Sequence, residues 1–226
     1  MEKPDFEKGT FGHLRKNAGG LWQAYVEHSF VNQLAAGTLK EKCFKKFLTQ
    51  DYLFLVHFSR AYALLAAKST NIEDIREALD GLNDIAAEMP LHVAYAKMWG
   101  ISEQEMSGAE EAIETIAYTR FVLDVGYSGD RLDLMTALIP CVAGYAEIGL
   151  RLVESPDTVF EGNPYSQWIK NYQSDDYVKG VKTFLDSFNK LAEQSHDEVH
   201  FKHLSKIFNT ATRLETEFWK MGLEAR

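Results

Sequence analysis

Only two cysteines occur in 226 residues. Cys43 and Cys141 stand in such different settings that no disulfide framework is implied. Nothing after Met1-Glu-Lys-Pro4 resembles an apolar secretory segment, so reduced thiols and a cytoplasmic location are expected. Basic side chains are also in short supply, 24 against 33 acidic ones, for a formal net charge of −9. That excess is mixed along the chain rather than gathered in a tail. It repels phosphate backbones and anionic lipid surfaces, which argues against nucleic-acid and membrane partners. Long apolar runs are missing too: Leu134 to Ala146 is nearly uncharged, but it contains Pro140 and falls short of the roughly 20 residues a membrane span requires. No segment alternates in the manner of a strand, no repeat of solenoid period is visible, and no low-complexity linker divides the chain.

What is present is helical spacing. With 46% hydrophobic residues the chain can bury one deep core, and a single domain over residues 1–226 is expected. Leu14, Leu21, Trp22 and Tyr25 line one side of a first helix, and Phe44, Phe47, Leu48, Tyr52, Leu55 and Phe58 one side of a second, from about Lys40 to Ala67. Ser69-Thr-Asn71 leads into a third, interrupted near Pro90. Ser102 with Glu105 three residues on gives a capping-box pattern. Ser128-Gly-Asp130 precedes the helix that carries Cys141, and Ser174-Asp-Asp176 and Ser195-His-Asp197 look like caps of the last two. Seven to nine helices with short connections predict an all-α multihelical bundle with a buried pocket.

Cys141 follows Pro140 within the most apolar run. Proline loosens the turn around the sulfur, and Tyr145 lies one helical turn on, on the same face. Asp51 is embedded among aromatics in Gln50-Asp-Tyr-Leu-Phe54, where a carboxylate is costly unless paired; a ligand amine or amidine would suit it. Tyr118 stands in a similar setting. Glu215 and Trp219 share a face at four-residue spacing, and an indole wall raises a glutamate's pKa toward the range useful for proton transfer. Each of these has a plainer reading: a cysteine that packs as a small hydrophobe, an aspartate bonded to backbone or tyrosine, a glutamate paired with Arg213 or Lys220, core tyrosines. The histidines offer a metal alternative, with Glu88 and His92 one turn apart and His196, His200 and His203 at four- and three-residue spacing. Those three lie among Asp197, Glu198 and Lys202, which favours a solvated face. For haem, His13 or His28 would have to be the axial ligand.

Taken together, His28-Ser-Phe30, Gly37-Thr-Leu39, Gln50-Asp-Tyr52, Tyr118, Pro140-Cys141-x-x-x-Tyr145-x-Glu147-Ile-Gly149, Trp168-Ile-x-x-Tyr172 and Leu214-Glu215-x-x-Phe218-Trp219 resemble the thiaminase II, or TenA, family from about residue 10 to residue 222. The resemblance implies the haem-oxygenase-like fold, commonly as a homotetramer. It also implies hydrolysis of a small aminopyrimidine, chiefly 4-amino-5-aminomethyl-2-methylpyrimidine to its 5-hydroxymethyl product, with thiamin cleaved by the same chemistry. By position, Cys141 matches the family's nucleophile and Glu215 its acid/base. Asp51 matches the carboxylate that grips the pyrimidine, Tyr118 a phenol bonded to the thiol, Tyr145 and Tyr172 pocket phenols, and Phe54 a stacking aromatic. No metal or organic cofactor is implied. The alternatives are a metal-dependent oxidase on the same fold and a non-catalytic pyrimidine-binding or regulatory protein.

Overall fold

The computed structural model describes residues 3–193 and 198–225, so the expected cap at Ser195-His-Asp197 and the histidine at 196 lie outside the described residues. Eleven helices and no strand are found among the described residues: α1 (Gly9–Ala18), α2 (Gly20–Val26), α3 (Ser29–Ala35), α4 (Glu41–Lys68), α5 (Ile72–Met98), α6 (Glu103–Ser107), α7 (Ile113–Ser128), α8 (Arg131–Glu154), α9 (Ser166–Tyr172), α10 (Asp175–Ala192) and α11 (Glu198–Leu223). The count exceeds the expected seven to nine. One reason is that the first helical run breaks at Gly19, whose φ of +49° ends α1 and starts α2. The chain divides into two compact units, Met1–Leu39 with Met135–Trp219, and Lys40–Leu134 with Lys220–Arg226.

The first unit is built on aromatic side chains. Phe11 of α1 meets Trp22 of α2 edge-on at 5.8 Å, and Trp22 stacks on Phe208 of α11 at 5.4 Å. The turn of α1 above them is fixed by charge: Arg15 donates to both oxygens of Glu147 on α8, at 2.9 and 2.8 Å, and Trp22 Nε1 donates to the same carboxylate at 3.1 Å. Ser174 caps α10 by accepting from the Tyr177 amide, and Val178, Val181, Leu185, Phe188 and Ala192 bury one face of that helix. Asn163 donates to the carbonyls of Leu34, Ala35 and Val159, which ties the connection after α8 to the end of α3.

α8 has the length and composition of a membrane-crossing helix, which the shorter run from Leu134 to Ala146 does not reveal. Yet 67% of its most apolar window is buried inside the protein, the pattern of a core helix.

The second unit centres on the pair α4 and α5. Phe44, Phe47, Leu48, Phe54, Phe58, Ala61 and Leu65 recur at three- and four-residue spacing along α4 and are buried. Leu48 faces His92 while Tyr62 lies against Gly81, so the two helices run antiparallel. α5 is not interrupted at Pro90, contrary to the sequence expectation. Pro90 cannot serve the carbonyl of Ala86, but both residues are exposed and water can take that carbonyl instead. Ser102 and Glu105 form the expected capping box at the start of α6.

Candidate active site

Cys141, Tyr145, Tyr172 and Glu215 fall in the first unit, and Asp51, Phe54 and Tyr118 in the second. Each set is built from its own neighbours.

In the first unit Pro140 lies inside α8, one residue before Cys141, and the helix continues through it. Tyr25 of α2 donates its hydroxyl to the Pro140 carbonyl at 3.3 Å. Its ring passes so close to α8 that a Cβ on Gly144 would lie 2.2 Å from Tyr25 Cε1. Glycine at 144 therefore lets a buried phenol brace the turn that carries the thiol. Cys141 itself is half-buried. One turn on, Tyr145 packs on Trp219 of α11 at 5.2 Å and on Tyr172 at 4.9 Å, with Trp168 against Tyr172 at 4.6 Å. Glu215 precedes Trp219 by one turn and is only 2% exposed, while Arg213 faces solvent. Cys141 and Glu215 thus each lie one helical turn, about 6 Å along the helix axis, from the same Tyr145–Trp219 contact.

Tyr172 ends α9, and its backbone rests on α8 where Gly149 leaves room: a Cβ there would lie 2.7 Å from the Tyr172 carbonyl carbon. Tyr177, in the first turn of α10, meets Tyr172 edge-on at 5.1 Å and directs its hydroxyl to the Val142 carbonyl at 3.5 Å. Sequence reasoning passed over Tyr177. The only hint was its place three residues after the cap Ser174, which points it back toward the end of α9.

In the second unit Gln50 organises the approach. Its amide donates to the Glu110 carbonyl at 2.9 Å, and its oxygen accepts from the Ala112 amide at 2.8 Å and from the Thr115 hydroxyl at 2.6 Å. Gln50 thereby seats the start of α7, the helix that carries Tyr118. Tyr118 is 1% exposed, with its ring 5.1 Å from that of Phe54. Asp51 is 6% exposed and takes no hydrogen bond within the described residues. Burial pushes its carboxyl up to about 7.

His92 of α5, which sequence reasoning paired with Glu88 as a possible metal ligand, holds Nδ1 3.6 Å from Asp51 Oδ2 and Nε2 3.0 Å from the Leu48 carbonyl. Burial lowers the His92 pKa, opposed by the Leu48 bond and the Glu88 charge. Burial and the Asp51 charge raise that of Glu88.

Other conspicuous residues have contacts of their own. His28 caps α3 by accepting from the Phe30 amide at 3.2 Å, and Glu147 is held by Arg15. His203 is exposed, with its ring 6.3 Å from that of His200. Cys43 is buried and donates to the Leu223 carbonyl at 3.2 Å.

Residues 15–225 match the model of the TENA/THI-4/PQQC family. The aminopyrimidine aminohydrolase of Halalkalibacterium halodurans is 35% identical over 215 residues, 94% of this chain and 95% of its own. Among solved structures, a protein from Silicibacter sp. TM1040 described as a TenA family transcription regulator superimposes with a TM-score of 0.90 at 40% identity, over 95% of this chain and 96% of its own. A Shewanella denitrificans domain with a heme oxygenase-like fold reaches 0.69 at 11% identity over 93% and 90%, a likeness of fold alone.

Proposed function

The chain belongs to the TENA/THI-4/PQQC family, and from that premise we propose that it is an aminopyrimidine aminohydrolase of the thiaminase II type, working in thiamin salvage. Its substrate is 4-amino-5-aminomethyl-2-methylpyrimidine, converted to the 5-hydroxymethyl compound with release of ammonia; thiamin is a second substrate for the same chemistry. The observation that carries this reading is the thiol of Cys141 and the buried carboxyl of Glu215, each one turn from the Tyr145–Trp219 contact. A nucleophile and a proton carrier held against aromatic walls suit attack on an electron-poor ring.

In the proposed reaction the Cys141 thiolate adds to a ring carbon and breaks aromaticity, and a ring nitrogen receives the displaced electron pair. Glu215 protonates the amine on the exocyclic methylene, and ammonia departs as the ring electrons return. Water then adds to the methylene, Glu215 accepts its proton, and loss of the thiolate restores the aromatic ring. Asp51 grips the pyrimidine, Phe54 stacks on it, and Tyr118, Tyr145 and Tyr172 furnish hydroxyl groups around it. No step calls on a metal or an organic cofactor. The enzyme is read as a cytoplasmic homotetramer.

Ammonia release from the aminomethylpyrimidine is the direct test. Glu215→Gln should cost about 10²- to 10⁴-fold in kcat, and Cys141→Ser nearly all turnover. Undiminished hydrolysis by Cys141→Ser would defeat the mechanism. Pyrimidine binding by the wild type without ammonia release would turn the reading toward a binding protein.

A further inference from the structure

The cluster around Asp51 contains a device that the pyrimidine-gripping role does not itself require. The Leu48 carbonyl can only accept a hydrogen bond, so the His92 nitrogen 3.0 Å from it, Nε2, must carry the ring proton. Burial disfavours the imidazolium, and in the neutral ring Nδ1 is a bare lone pair that faces Asp51 Oδ2 at 3.6 Å. Glu88, one turn before His92, contributes a second carboxyl rather than a cation, and Tyr52 contributes a ring 6.4 Å from the imidazole. With no donor among the described residues, the carboxyl is electrostatically better off as the acid than as the carboxylate.

We propose that His92 is a positioning residue for Asp51. By spending its single proton on Leu48, it keeps Asp51 as a neutral acid whose O–H donates to a ring nitrogen of the aminopyrimidine, while the other oxygen accepts from the adjacent exocyclic amine. A carboxylate would offer two acceptors and leave the ring nitrogen facing negative charge. The neutral acid offers a donor and an acceptor side by side, which is the pattern an aminopyrimidine edge presents in reverse. A donor at the ring nitrogen also draws density from the ring and favours addition of a thiolate. The inference deepens the proposed function and rests on it.

The ring nitrogens of His92 give a test that needs no turnover. In protein labelled with nitrogen-15 in histidine, with the His92 signals identified by their loss in His92→Gln, the substrate-free enzyme at pH 7 should show one protonated and one bare nitrogen, the proton on Nε2. Two protonated nitrogens would mean an imidazolium beside a carboxylate and would overturn the proposal, as would a proton on Nδ1.

The second arm is kinetic. His92→Lys, which sets a cation against Asp51 and holds it as the carboxylate, should raise KM roughly tenfold, the size of one lost hydrogen-bond arrangement, and lower kcat as well because the ring nitrogen loses its donor, whereas a merely structural lesion would lower active enzyme without moving KM. An unchanged KM overturns the role. Should the wild type bind 5-hydroxymethylpyrimidine yet release no ammonia, the hydrolase reading fails alone, and the same tenfold change is then sought in the dissociation constant by calorimetry. Absence of any pyrimidine binding by the wild type overturns both.

Discussion

Asp51→Asn should make the protein more stable, and increasingly so as pH rises toward 7. Burial lifts the Asp51 pKa from 3.8 to about 7 in the folded protein, while the unfolded chain keeps an ordinary aspartate. Below about pH 3.8 the group is protonated in both states and carries no penalty. As pH climbs through 3.8 the unfolded state ionises first, so stability falls with pH until the folded group ionises near 7. A shift of a little over three units, at about 1.4 kcal/mol per unit, is worth about 4 kcal/mol. That is a large part of the 5–15 kcal/mol that typically separates folded from unfolded. Asparagine fills nearly the same volume and never ionises, so the variant lacks this slope. The assay is a series of denaturant melts of both proteins at steps from pH 4 to pH 8.5, reading the difference in unfolding free energy, in which contributions of groups distant from Asp51 largely cancel. The Asp51→Asn protein should gain on the wild type by about 1.4 kcal/mol per pH unit and then level off above pH 7. Parallel curves would refute the reasoning, since they would mean that the folded protein accepts the carboxylate as readily as water does. The same variant should bind substrate more weakly, so stability and function move in opposite directions.

Gly144→Ala should destabilise the protein by about 1–3 kcal/mol in denaturant melts, because the new methyl would lie 2.2 Å from the buried ring of Tyr25. Glu147→Gln removes the two-pronged partner of Arg15; with both side chains partly exposed, a loss of about 1–2 kcal/mol is expected, and kcat on the aminopyrimidine should stay at the wild-type value. Ser102→Ala dissolves the capping box of α6 and should cost about 1 kcal/mol by the same melts.

Much of this architecture was legible in local sequence. Ser102 and Ser174 cap helices as their spacing predicts, and α4 spans Glu41–Lys68, within a residue of the expected Lys40 to Ala67. Local rules misled where solvent changed their cost. Pro90 sits on an exposed face, so the helix passes through it, whereas Gly19 breaks a run whose apolar spacing alone reads as continuous. The motif residues divide by physics rather than by neighbourhood: in Gln50-Asp51 the first side chain seats α7 and the second stays without a hydrogen bond among the described residues. His92 was visible as a histidine, but its partner lies 41 positions earlier in the chain, and no periodicity within either helix links α5 to α4 at that point. The available signal was indirect. An acid placed among aromatics demands a neighbour, and a histidine on the next long helix is the residue type most able to supply one.

Two acids of this chain show how burial separates structure from chemistry. Glu147 is half-buried, and three donors from Arg15 and Trp22 meet its oxygens, so its charge is compensated before any ligand arrives. Replacing it should therefore disturb packing and little else. Asp51 is buried more deeply, yet its polar contact is an imidazole that already gives its proton to Leu48. A carboxyl in that position weakens the fold at neutral pH, and an apolar residue or an amide would serve the core better. Its placement is intelligible when a ligand supplies the missing hydrogen bonds, and an aminopyrimidine edge, with one acceptor nitrogen beside one donor amine, supplies both at once. Binding would then return the free energy that folding forgoes at Asp51, which makes ligand-dependent stabilisation of the wild type larger than that of Asp51→Asn.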